Sequence, residues 1–131
     1  MTDTETVETT PEDFELFQSE CERWIEIYGL KHWDVFFRHE ECEGRFAACG
    51  TILKARVATI TLAKEWQKAD YTPQEIKRTA FHEVSELLMA PVNALANHRY
   101  VSEDEIEGEI HAVIRTLESV LFPKYPGVTP L

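Results

Sequence analysis

The chain has 131 residues, which suits one domain, and its 44% hydrophobic and 11% aromatic content is enough for a packed core and too much for a disordered protein. Its 24 acidic residues against 13 basic ones give a formal net charge of −11. That balance argues against nucleic-acid backbones and anionic membranes as partners, since both need a basic surface. High negative charge otherwise means solubility through self-repulsion, with imitation of nucleic acid toward a basic partner as the sharper alternative.

Residues 1–10, MTDTETVETT, lack the basic and apolar regions of a signal peptide and read as a disordered acidic tail. Thr10-Pro11-Glu12-Asp13 then has the form of a helix start, with threonine as N-cap, proline in the first turn and an acid three residues after the cap. Phe14, Phe17, Cys21, Trp24, Ile25 and Tyr28 follow at helical spacing, and Gly29 is a natural stop, so a first helix is expected over about 11–28.

From Leu30 onward the pattern changes. Trp33, Val35 and Phe37 alternate within 32–39 and predict a strand; 45–50 predicts a short second strand and 55–63, ARVATITLA, a β-branched third. A three-stranded, mainly antiparallel meander is the simplest arrangement, with Cys42 and Cys49 flanking a hairpin, although spacing alone leaves the strand order open. The three cysteines, Cys21, Cys42 and Cys49, form no C-x-x-C pair, which suits reduced thiols in the cytoplasm better than a secreted disulfide framework. No apolar run approaches the roughly 18 residues of a membrane span.

Thr72-Pro73-Gln74-Glu75 opens a second helix, with Ile76, Ala80, Val84, Leu87 and Leu88 as its core face and Pro91 as its expected end. Ser102-Glu103-Asp104-Glu105 opens a third, with Ile106, Ile110, Val113, Ile114, Leu117, Val120 and Leu121 along one side and Pro123 closing it. Residues 124–131 read as a C-terminal tail after a single domain over 11–123. The fold class expected from this order is α+β, a helix and a small sheet followed by two packed helices.

The second helix carries His82-Glu83-Val84-Ser85-Glu86. At 100° per residue, His82 and Glu86 lie about 40° apart, outside the core arc, with Glu83 at its edge. Residues four apart stand one above the other on a helix, so an imidazole and a carboxylate there can grip one ion without moving the backbone. The bland alternative is an exposed ion pair worth a few tenths of a kcal/mol.

With this motif on the page, the layout over about 14–121 resembles the minimal zincin metallopeptidases, the SprT-like proteins and small phage-encoded metallopeptidases among them. The strand around Trp33 and the stretch FHEVSELLMAP carry the resemblance. It implies a zinc metallopeptidase in which Glu83 is the base that takes a proton from metal-bound water, acting on a peptide or protein in the cytoplasm (of a host, if phage-encoded). The family motif is H-E-x-x-H; here Glu86 stands in place of the second histidine. His111 on the third helix is the expected compensation, giving two histidines and one carboxylate, with Glu107, Glu109 and His98 as replacements. Such a set also suits Fe²⁺ or Mn²⁺, including an oxygen-activating iron site. The competing expectation is a degenerate zincin-like domain without metal, acting as an acidic protein-binding module. Tyr100 is a further candidate, as a hydrogen-bond donor to an oxyanion. An extended peptide is expected to add to a sheet edge, with 55–63 as the candidate strand.

Overall fold

The computed structural model describes residues 5–124. The elements in chain order are β1 (Thr6–Glu8), α1 (Pro11–Ile27), β2 (Asp34–Glu40), β3 (Ala47–Ile52), β4 (Val57–Ala63), β5 (Glu65–Gln67), α2 (Pro73–Ala96) and α3 (Glu103–Leu121). The α+β class expected from the sequence is what the chain adopts.

Each helix begins where its capping residues place it. Thr10, Thr72 and Ser102 accept hydrogen bonds from the backbone N–H of Asp13, Glu75 and Glu105, and the acids at Asp13 and Glu105 complete reciprocal capping boxes. The predicted end of α2 is corrected. The helix runs on past Pro91 to Ala96. A proline inside a helix removes one hydrogen bond and crowds the carbonyl four residues back, at a cost of about 3 kcal/mol. Here Pro91 stands where α2 meets α3, bordering a hollow with Leu88 of α2 and Val113 and Thr116 of α3.

The sheet is not a meander. Its order is β2-β4-β3, with β4 parallel to β2 and antiparallel to β3. β4 holds the centre because its alternation is the most apolar: Ala58, Ile60 and Leu62 all point into the core and are fully buried. β2 and β3 are therefore not a hairpin, and Cys42 and Cys49 do not flank one. The 41–46 connection instead crosses the end of β4. It is held there by Phe46, which stacks on Trp66 and whose carbonyl accepts from the Trp66 indole at 3.0 Å and from the Ala63 N–H at 2.9 Å. β3 turns back into β4 through a 3-10 turn ending at Arg56, held at φ +56° by its N–H bond to Leu53.

A single apolar cluster joins Phe17 and Cys21 of α1, the inward face of β4, and Ile76, Ala80, Val84 and Leu87 of α2. Of the three tryptophans, Trp33 and Trp66 are buried, and Trp24 meets Phe81 edge-on across the α1–α2 contact at 4.7 Å between centroids. α3 contributes a flank only: Val113, Leu117 and Val120 pack on the core, whereas Ile110, Ile114 and Leu121 from the same stripe are exposed.

The expectation of a disordered tail over 1–10 also needs correction. Thr6–Glu8 pairs antiparallel with β5 in a two-stranded sheet. Thr9 behind it is buried, its hydroxyl shared between the carbonyls of Ala63 and Lys64 and lying 2.7 Å from Nε2 of His39. The His39 ring in turn stacks on Phe14. Thr9→Val keeps the shape but strands these groups, and we expect a loss of about 1–3 kcal/mol in chemical denaturation. An unchanged denaturation midpoint would show that the strap contributes nothing. The tail expected at 124–131 lies almost wholly outside the described residues.

Candidate metal centre

α2 sets its ligands by period alone. His82 and Glu86 project from the same face, with His82 Nε2 3.2 Å from a Glu86 carboxylate oxygen. Both are open to solvent, 70% and 53% exposed, at one wall of a cleft of about 350 Å³. The cleft is also lined by Ala47 at the start of β3, with Arg45 and Phe46 just before it.

Glu83 is the unusual group. It is only 4% exposed, and one of its carboxylate oxygens is buried with no hydrogen-bond partner among the described residues. Burial, then the neighbouring charge of Glu86 and a hydrogen bond shared with it, push the Glu83 carboxyl up to about 8; Arg45 opposes this weakly. The Cys49 thiol of β3 is pushed up to about 12, first by burial and then by the charges of Glu83 and Glu86. Two carboxylates in contact, one of them dehydrated, are tolerable when something positive sits between them. A proton is one solution and a divalent cation is the other. Donor atoms of His82, Glu83 and Glu86 lie within 4.8 Å of one another, so the set fits a small cation with one nitrogen and carboxylate oxygens.

The structure does not bring His111 to this group. Its Nε2 is 3.8 Å from Glu107 in its own helix, and its side chain is 56% exposed. The reason lies in two helical phases. His82 precedes Pro91 by nine residues, two and a half turns, so it faces away from the side of α2 that receives α3. His111 precedes Val120 by the same nine residues and so faces away from the packed side of α3. Both side chains point outward, in opposed directions. Glu107 is paired with His111, Glu109 lines the hollow behind α2, and neither lies with the His82 group. His98 and Tyr100 sit in the exposed α2–α3 connection, the Tyr100 N–H donating to the His98 ring, and neither borders the cleft.

Sequence reasoning missed Arg45 and Arg78. Arg78 stands one turn before His82, and its place on the cleft wall was legible from the helical period. Arg45 carried no such signal, because a loop brings it across.

No helix among the described residues is long and apolar enough to cross a membrane. No family model matches the chain, and no curated protein or solved structure matches it either.

Proposed function

We propose that this chain is a metal-dependent hydrolase acting on peptides, its cation held by His82 and Glu86 and its proton carried by Glu83. The observation that carries the reading is the dehydrated Glu83 carboxyl, with one oxygen unpartnered, set beside an exposed imidazole–carboxylate pair. Leaving a buried carboxyl oxygen without a partner costs about 1–3 kcal/mol or more, and groups held in this way cluster at functional sites.

A bound divalent cation would supply Lewis-acid polarisation and local positive charge. The chain's own residues supply the rest. His82 and Glu86 present fixed donors from a rigid helix. Glu83 accepts the proton of the attacking water and returns it to the leaving amine, a role for which a carboxyl shifted toward neutrality is suited. β3, an outer strand of its sheet beside the cleft, offers backbone groups along which an extended peptide could be oriented. The 55–63 strand does not serve, since β4 is paired on both sides. One imidazole with carboxylates is a harder set than two imidazoles. Zn²⁺ remains favoured by affinity order and Mn²⁺ gains ground. The free thiols of Cys21, Cys42 and Cys49 suit a reducing cytoplasm.

The test is to incubate a peptide mixture with protein reconstituted with Zn²⁺ or Mn²⁺ and to read products by mass spectrometry. Wild type should cleave, and Glu83→Gln should lose at least about a hundredfold, the usual scale for a general base. A second reading, a peptide-binding module without turnover, is favoured by one observation: α3 brings no ligand to the cleft. Absence of cleavage by wild type under every metal would select it.

A further inference from the structure

One face of α2 lines the cleft as far as Glu86 and continues beyond it, changing character along its length. At its N-terminal end stand Glu75 and Arg78, with Arg45 opposite on the approach to β3. His82, Glu83 and Glu86 occupy the middle. Beyond Glu86, which borders both hollows, the face becomes apolar through Met89, Val92 and Ala96, with Asn93 as its one polar side chain. The second hollow, about 410 Å³, is lined by α2 residues and shares Glu86 with the first. Met89 is among the large apolar side chains left exposed on this protein.

The charges at the N-terminal end run against the rest of the molecule. Two of the 13 basic residues of a chain with net charge −11 line the cleft that holds His82, Glu83 and Glu86. Arg45 makes no side-chain hydrogen bond or ion pair among the described residues. Arg78 reaches Glu75 only at 3.7 Å with its own side chain 78% exposed. Exposed pairs of that kind are worth little and exchange readily for a better acceptor. A carboxylate brought there would meet two guanidiniums, which bind carboxylates in a planar fork. A lysine brought there would meet both of them as like charge, against the single carboxylate of Glu75.

We propose that this groove takes an extended peptide in a bipartite register, an acidic residue between Arg45 and Arg78, an apolar residue in the Met89–Val92–Ala96 hollow, and the scissile bond between them at Glu83. The spacing is set by α2. Arg78 and the Met89–Val92 pair are eleven to fourteen residues apart, about 16–21 Å along the helix, the span of about five or six extended residues. The register places the acidic residue of the ligand at Arg45 and Arg78, the part of the lining where two guanidiniums face the single carboxylate of Glu75. The cleavage part of this inference rests on the hydrolase reading above; the sorting of peptides does not.

The experiment separates the two. Short fluorescent peptides carry leucine at one end and, about five residues away, either aspartate or lysine, in both chain directions. Binding to Zn²⁺-reconstituted Glu83→Gln protein is read by fluorescence anisotropy, and cleavage by wild type by mass spectrometry. The aspartate peptide should bind about tenfold tighter than the lysine peptide, equivalent to about 1.4 kcal/mol. Arg45→Glu with Arg78→Glu should reverse that order, and Met89→Asp should remove the dependence on leucine; all three positions are exposed, so folding is not at stake. Equal binding of the two peptides, or a preference the double variant leaves intact, overturns the register. A preference that reverses as expected with no cleavage keeps the register and overturns the hydrolase. Cleavage without preference does the opposite.

Discussion

Glu83→Gln should make the metal-free protein more stable at pH 8 while removing the hydrolytic activity proposed for it. The Glu83 carboxyl is raised to about 8 in the folded chain, mainly by burial and then by Glu86, against an ordinary value of 4.5. The folded state therefore keeps a proton that the unfolded chain releases. Stability associated with this group is whole below pH 4.5, falls as pH rises through the interval up to about 8, and is fully lost above it. The slope over that interval approaches about 1.4 kcal/mol per pH unit. A glutamine has no proton to lose and should show no such slope. At roughly 4 °C per kcal/mol, a rise of roughly 5 °C or more is expected at pH 8, with little difference near pH 4.5. Zn²⁺ or Mn²⁺ should reverse the order, because wild type gains the stabilisation of a bound ion that the glutamine variant holds less well. Differential scanning across pH, with and without metal, reads all of this. A glutamine variant less stable than wild type at pH 8 without metal would mean that Glu83 is not held against its charge.

His82→Ala should abolish specific metal binding, whereas His111→Ala should leave it unchanged. Losing one nitrogen from a small ligand set is expected to weaken affinity by at least about a hundredfold, or about 2.7 kcal/mol. His111 contributes nothing because it faces outward beside Glu107 on the far side of α3. Binding should also release a proton near neutral pH, since the ion displaces the one shared between Glu83 and Glu86. Calorimetry in buffers of different ionisation enthalpy measures affinity and proton release together. Matching affinities for wild type and His82→Ala would remove the ion from the reading of this site, and a large loss in His111→Ala would place α3 differently from what is described here.

Much of the local structure is written in short stretches of sequence, because it depends on neighbours within one turn. The three helix starts follow from Thr10, Thr72 and Ser102 and the residues just after each cap. His82 and Glu86 share a face because 3.6 residues make a turn, whatever else surrounds them. The strand at Val57–Ala63 is legible from its β-branched alternation.

Other features depended on partners far away in the chain. Strand order was one, since nothing local distinguishes a β2–β3 hairpin from a crossover pinned by Phe46 and Trp66. Pro91 was another: its penalty is local, but the apposition of α3, whose Val113 and Thr116 border the same hollow, is not. The third ligand failed for the same reason. A wide apolar stripe on α3 allows several rotations about the helix axis, and the one adopted packs Val113, Leu117 and Val120 while turning His111 to solvent. The sequence by itself determined the three helix starts with their caps, the strand at Val57–Ala63 and the shared face of His82 and Glu86, all consequences of backbone period, side-chain alternation and short-range hydrogen bonds. Only the tertiary structure decided that Glu83 is dehydrated, that Arg45 faces it across a cleft, and that α3 stands behind the site, because burial and apposition exist only once distant segments have packed.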